Sequence, residues 1–276
     1  MIENKLYLCA TPIGNLEDIT LRVLRVLNEV DFIYCEDTRH TLGLLNHFEL
    51  KKPLISCHEH NELTRAQEVI DKINSGSSIA FVSDAGMPAI SDPGARLVTA
   101  CIESNVPFEV LPGASAVLLS AIYSGLDCNE FMFIGFLSRI KKERNEKLKE
   151  LKNAKQTIIF YESPLRVKST LSDLYDAFGD RRCAVVRELT KLHEQAVRGT
   201  ISELIERYKD EPPRGECVIV LEGAKEVIEK NEQGIEEIIK NMLESGMSAK
   251  DAAKEAASIM NVSKNEAYKI ALELKA

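Results

Sequence analysis

Short apolar runs alternate with stretches of helical periodicity through residues 6–221, and this alternation restricts the chain to sheets covered by helices. Leu6–Ala10, Phe32–Cys35, Ile79–Val82 and Phe108–Leu111 have the length of buried strands, and each ends at turn-forming or charged residues. Between them, residues 20–28 place Leu21, Leu24, Val26 and Leu27 on a helical face, and residues 62–74 and 95–104 read as further helices. The second half repeats the alternation. Strands are expected at Phe131–Phe136, Thr157–Tyr161, Cys183–Arg187 and Glu216–Leu221, with helices over 141–153, 165–177 and 201–208. The expected class is α/β with a largely parallel sheet, divided into an N-terminal domain, 1–115, and a second α/β domain, 116–224.

Composition shifts after Ala224. Residues 225–232 are polar, as a linker would be, and Ile235, Ile238, Ile239, Met242 and Leu243 then form a helical stripe that ends near Gly246. Ser248-x-x-Asp251 and Ser263-x-x-Glu266 are capping-box patterns, each opening a short, alanine-rich helix. Residues 225–276 therefore read as a three-helix appendage of helix-turn-helix type. Its slightly negative charge leaves nucleic-acid binding and a purely structural role both open.

A net charge of −8 argues against bulk electrostatic attachment to nucleic acid, although a local basic patch is still able to dock a phosphate backbone. One such patch exists: Arg139–Lys155 holds eight Lys or Arg against three Glu. Arg139, Lys141, Lys142 and Arg144 lead it and are candidates for RNA contact; the alternative is a solvated helix face. Glu36-Asp37-Thr38-Arg39 ends a strand with three charges, so Arg39 either positions a polar substrate or pairs locally. The seven cysteines include no C-x-x-C pair and sit mostly in apolar runs, where reduced thiols act as small hydrophobes. With no membrane-length apolar run and no leader-like N-terminus, a cytoplasmic protein without a metal site is expected.

Three loops rich in Gly and Pro follow strands: Thr11–Gly14, Ser83–Gly94 and Pro112–Ala116. In an α/β sheet such loops gather at the carboxyl ends of the strands, where ligands bind. Neither G-x-G-x-x-G nor the P-loop pattern is present, and the hydrolase G-x-S-x-G and zincin H-E-x-x-H are also missing. The loops therefore suggest a small-molecule pocket outside the common nucleotide and hydrolase patterns.

These strings carry a resemblance. Leu6–Gly14 with Asn15–Thr20, Cys35–Arg39, Ser83–Gly94, Leu111–Ala116, Gly135–Leu137, Phe160–Arg166 and Arg187–Glu194 together resemble the tetrapyrrole-methylase superfamily, specifically the branch that methylates a ribose of small-subunit ribosomal RNA. The resemblance spans about residues 5–222, and the helical tail is also similar to that branch. It implies S-adenosylmethionine bound between two α/β domains. It also implies 2′-O-methylation of a cytidine in the decoding region of 16S rRNA, with the 30S subunit as substrate and a homodimer as the working form. By motif, Pro12, Ala85, Gly86, Met87, Ile90, Ser115 and Ala116 would meet the cofactor, and Glu162 and Leu189 would close the pocket from the second domain. Many superfamily members carry Gly-Asp-Pro where this chain has Gly86-Met87-Pro88; the acidic role then falls to Asp84 or is absent.

The residues do not identify a general base. Lys191 is the first candidate. In a continuing strand it would share a face with Arg187 and His193, and crowded cations lower a lysine's pKa. Glu188 is the second candidate. A precorrin-type tetrapyrrole methyltransferase shares the fold and cofactor, and a non-catalytic RNA-binding module is the reading from another class. The basic run and tail speak against the former, and the cofactor-type loops against the latter.

Overall fold

A computed structural model describes residues 2–225, 232–260 and 262–275, and most of the expected polar linker lies outside them. Met1–Ala224 is one compact unit and Lys225–Ala276 a second. In the first unit, β1 (Leu6–Cys9), α1 (Leu21–Glu29), β2 (Phe32–Cys35), α2 (Thr38–His47), β3 (Leu54–Ser56), α3 (Glu62–Asn74), β4 (Ile79–Val82), α4 (Ala95–Glu103) and β5 (Phe108–Leu111) precede α5 (Ala116–Ser124). There follow β6 (Phe131–Phe136), α6 (Lys141–Leu151), β7 (Thr157–Glu162), α7 (Val167–Phe178), β8 (Arg182–Arg187), β9 (Gln195–Thr200), α8 (Ile201–Arg207) and β10 (Cys217–Leu221).

The first sheet has the order β3-β2-β4-β1-β5, with every pair parallel. Its central strands are apolar throughout because both faces are covered. Leu6, Leu8, Ile79 and Phe81 pack with Val69, Ile70 and Ile73 of α3 and with Leu97 and Cys101 of α4. Tyr7, Cys9, Ala80 and Val82 point the other way, onto Val23, Val26 and Leu27 of α1 and Leu45 of α2.

The second sheet has the order β6-β7-β10-β8-β9. Only β6 and β7 run parallel; the β7–β10, β10–β8 and β8–β9 pairs are antiparallel. The expectation of a largely parallel arrangement therefore holds for the first sheet and fails for the second. Buried apolar residues pattern both kinds of strand alike, and the direction is set by the connections. Residues of α6, α7 and α8, among them Leu148, Leu171 and Ile201, cover one face. Val117 and Ala121 of α5 cover the other, against Ile159, Ala184, Val186 and Val220.

The 83–94 loop is held at both ends. Thr11 and Gly86 exchange backbone hydrogen bonds of 2.9 and 3.0 Å, tying its start to the end of β1. At its far end the carboxylate of Glu62, 4% exposed at the start of α3, accepts the N–H groups of Gly94 and Arg96, both at 2.9 Å. Glu62 thereby caps α4, whose own N-cap, Gly94, has no side chain for the purpose.

In the second unit α9 (Glu232–Glu244), α10 (Ala249–Ile259) and α11 (Lys264–Glu273) surround a small core. Ile235 and Ile239 of α9 meet Ala253 and Ala256 of α10 and Ala267 and Ala271 of α11. Ser248 and Ser263 accept the N–H groups of Asp251 and Glu266, each at 3.2 Å, and so start the two alanine helices.

Candidate active site

The carboxyl ends of β1, β4 and β5 bring the loops 10–14, 83–94 and 112–116 to one edge of the first sheet. Facing them are the end of β7 and the start of β10. A cleft of about 380 Å³ lies between, within the ~300–1,000 Å³ typical of small-molecule sites. Ala85, Gly86, Met87, Ile90, Ser115, Ala116 and Glu162 line it. Pro12, Asp84 and Leu189 do not. Next to Pro12, Ile13 takes the wall position. Asp84 turns to accept the backbone N–H of Asp37 at 3.1 Å. Leu189 is buried beside Val117, Ala121 and Val218.

The remaining walls come from residues the sequence did not single out. Tyr161 stands edge-on to Phe133 and Phe136, with ring centroids 4.8 and 5.6 Å apart, and forms an aromatic side with Phe136 and Val218. Ser115 begins α5 without a side-chain cap, so its first backbone N–H groups remain available at the cleft. Glu162, 3% exposed, is occupied by its own chain: it accepts from Thr170 at 2.6 Å and the Ser163 N–H at 2.8 Å, and pairs with Arg166 at 3.5 Å. These bonds fix the turn from β7 into α7.

Asp92 is the distinctive group. It lines the cleft and makes no hydrogen bond or ion pair among the described residues. Burial, then Glu36 and then Asp84, push its carboxyl up to about 7. Glu36, at the end of β2, is itself raised by burial and by Asp84 and Asp37. Among the described residues, no cation of the cleft lining is placed to balance Asp92 in this acidic field. Asp92 lies within the Ser83–Gly94 string, where Asp92-Pro93-Gly94 reads as an ordinary turn.

Lys191 does not meet the condition set for a base. Glu188 and Thr190 take positive φ values, 51° and 62°, so no strand continues from β8 to align Lys191 with Arg187 and His193. Its Nζ donates instead to Glu188 at 3.1 Å and Glu216 at 2.9 Å. Burial acts to lower its pKa, but the two carboxylates outweigh it and the net shift is upward. Glu188 is lowered, because the Glu216 N–H and Lys191 together outweigh its burial. A lysine held charged and a carboxylate held ionised by its partners form a clamp on the 188–194 loop.

Of the basic residues, Arg139, Lys141 and Lys142 are exposed at the start of α6. Arg144 is not available in the same way. With its side chain 15% exposed, it pairs with Asp173 at 2.7 Å and donates to the Ser138 and Arg139 carbonyls, joining α6 to α7. Arg39 is 90% exposed and forks onto Asp37 at 2.7 and 3.1 Å. Among the described residues no group of His, Cys, Asp or Glu is placed to hold a metal ion, and no helix is long and apolar enough to cross a membrane.

Residues 5–205 match the family described as tetrapyrrole (corrin/porphyrin) methylases, and residues 230–275 match the RsmI C-terminal HTH domain. The chain is 44% identical to ribosomal RNA small subunit methyltransferase I of Halalkalibacterium halodurans, covering 96% of this chain and 93% of that one. It is 45% identical to the protein of that name from Bacillus subtilis, covering 95% and 92%. Among solved structures, a cobalt precorrin-4 methyltransferase superposes with a TM-score of 0.59 at 20% identity, over 79% of this chain and 95% of that one. A Thermus thermophilus uroporphyrin-III C-methyltransferase complexed with S-adenosyl homocysteine gives 0.55 at 18% identity, over 78% and 96%. With a cleft walled by two sheets and relatives matched over nearly its whole length, the chain belongs to the tetrapyrrole methylase family, in the group of ribosomal RNA small subunit methyltransferase I.

Proposed function

We propose that this protein transfers a methyl group from S-adenosylmethionine to the 2′-oxygen of a cytidine in the decoding region of 16S rRNA. In this reading it acts in the cytoplasm on the 30S subunit, as a homodimer. The observation that carries the reading is the near full-length match to relatives named as ribosomal RNA small subunit methyltransferases, with the helical tail included. That tail and the exposed cations Arg139, Lys141 and Lys142 favour an RNA over a tetrapyrrole substrate. Leu118 and Ile122 are exposed one turn apart on α5, with Leu192 94% exposed, an apolar face that supports self-association.

The cleft suits the cofactor. Its aromatic and aliphatic walls fit a purine, the α5 start offers N–H groups to a carboxylate, and Asp92 supplies a countercharge to a cation. When bound, S-adenosylmethionine supplies an electrophilic methyl group on a positively charged sulfur. The protein's own contribution is placement. Backbone at Ala85 and Gly86 approaches closely because Gly86, at φ +80°, presents no side chain. Tyr161 and Phe136 exclude water from one side. Holding a ribose hydroxyl in line with the methyl removes much of the entropic barrier. The decisive test is tritium transfer from labelled cofactor to 30S subunits from a strain lacking the enzyme. Label in a 16S ribose is expected. A folded, cofactor-binding protein that leaves 16S rRNA unlabelled would overturn the reading.

A further inference from the structure

A second cleft, of about 450 Å³, lies on the second sheet, between the β8 end, the β9 start and the loop that follows α8. Arg187, Arg207, Arg214, His193 and Tyr208 are among its lining residues. Three guanidinium groups in one concavity are unusual in a chain of net charge −8. Two carboxylates share the lining, and both are engaged. Glu188 faces Lys191 and the Glu216 N–H, each at 3.1 Å, and Glu211 pairs with Arg214 at 3.0 Å. Neither Arg187 nor Arg207 forms a close ion pair among the described residues, although Arg187 acts electrostatically on the neighbouring Glu188 carboxylate. Arg187 is held in place by neutral acceptors, donating Nε to Gln195 at 2.9 Å and Nη1 to the Arg214 carbonyl at 3.4 Å. Its Nη2 makes no hydrogen bond among the described residues.

Tyr208 packs beneath these guanidinium groups, with Arg207 over its ring at 6.0 Å. The residue is 5% exposed, yet its hydroxyl is buried without a hydrogen-bond partner. Such a group is destabilising unless a ligand or water completes it. Arg207 and Arg187 both act electrostatically on it. The carbonyls at the end of α8 would repel an anion, but Leu204 and Glu206 already accept the Tyr208 N–H.

We propose that this cleft binds a phosphodiester group of the RNA substrate, with Arg187 and Arg207 as the charged donors and Arg214 at the rim. Planar guanidinium groups match phosphate oxygens two at a time. The inference rests on the RNA-methyltransferase reading and adds to it a contact outside the cofactor cleft. Position supports it. Arg214 lines this cleft while the next residues, Gly215 and Glu216, line the cofactor cleft, so a single segment walls both. That wall is tightly specified. Gly215 has φ +79°, and a Cβ there would collide with the Glu188 carboxylate, while Pro212 and Pro213 stiffen the approach. A phosphate captured here would anchor the strand beside the site of methyl transfer.

The test compares wild type with the double variant R207Q/R214Q, which changes two exposed side chains and spares the sheet. Binding of a 16S rRNA fragment is titrated across a range of KCl concentrations, S-adenosylmethionine affinity is measured by calorimetry, and folding is checked by thermal melting. The variant is expected to bind RNA about tenfold more weakly, with a salt slope shallower by about one, and to hold the cofactor as wild type does. A folded R207Q/R214Q that matches wild type in RNA affinity and salt slope overturns the site alone. Wild-type protein that binds no rRNA overturns the parent reading and the site with it.

Discussion

Asp92→Asn should move stability and cofactor affinity in opposite directions. The ordinary aspartate value is 3.8, and in the folded protein burial, Glu36 and Asp84 raise it to about 7. Between those values the folded state binds more protons than the unfolded state, so stability falls as pH rises through the interval and stays low above it. The penalty at pH 8 is up to about 4 kcal/mol, of which we expect about 1–3 kcal/mol to be recovered by an uncharged amide of the same shape. The ligand-free variant should then melt several degrees higher at pH 8, at about 2–4 °C per kcal/mol, and close to wild type at pH 4. Cofactor binding should respond the other way. A cationic ligand favours ionised Asp92, which rises from about one-tenth of molecules at pH 6 to about nine-tenths at pH 8. Wild-type affinity should climb by about four- to eightfold over that range, while the variant should be flat and about 5- to 30-fold weaker at pH 8. Calorimetry at three pH values with parallel thermal melts reads both effects. A variant that binds as tightly as wild type at pH 8 would refute the countercharge role, and one that is no more stable would refute the electrostatic strain.

Lys191→Met should lower single-turnover methyl transfer by no more than a few-fold, because the side chain clamps a loop; a loss of ~10²-fold or more would restore it as the base. Gly86→Val should abolish measurable cofactor binding in a folded protein, since its φ of +80° strains a branched residue and the new Cβ would stand 3.2 Å from Ile13; unchanged calorimetric affinity would contradict the site. Changing Arg139, Lys141 and Lys142 to Glu should weaken rRNA binding and flatten its salt dependence without altering thermal stability, whereas Arg144→Ala should lower the melting temperature because it leaves Asp173 unpaired.

What the sequence discloses here follows the range of each interaction. Long apolar runs such as Phe131–Phe136 and Cys217–Leu221 are strands whatever surrounds them, and they were legible. Three elements were not. β3 is three residues long, β9 is a polar edge strand, and α2 hides its start in a charged string where the Asp37 side chain caps the Arg39 N–H at 2.8 Å. The loops of the cleft were legible from their Gly and Pro content. Asp92 was not, because its charge is opposed by Glu36 and Asp84, which join it only when β2 and β4 lie side by side. The expectation that a strand continues through Lys191 failed on backbone geometry: left-handed conformations at Glu188 and Thr190 are rare for residues with side chains, and nothing in the string announces them.

The double tether on residues 83–94 bears on how a ligand is captured. Fixing a free residue takes about 1–2 kcal/mol of backbone entropy, and a mobile lid would subtract that from affinity at each encounter. Here the ordering is completed during folding, by the Thr11–Gly86 exchange at one end and the buried Glu62 carboxylate at the other. The amides of Gly94 and Arg96 should therefore be protected from hydrogen exchange before any ligand arrives, and association should proceed without a conformational step. Glu62 contributes nothing to the cleft lining, yet it sets the rigidity of a wall that does.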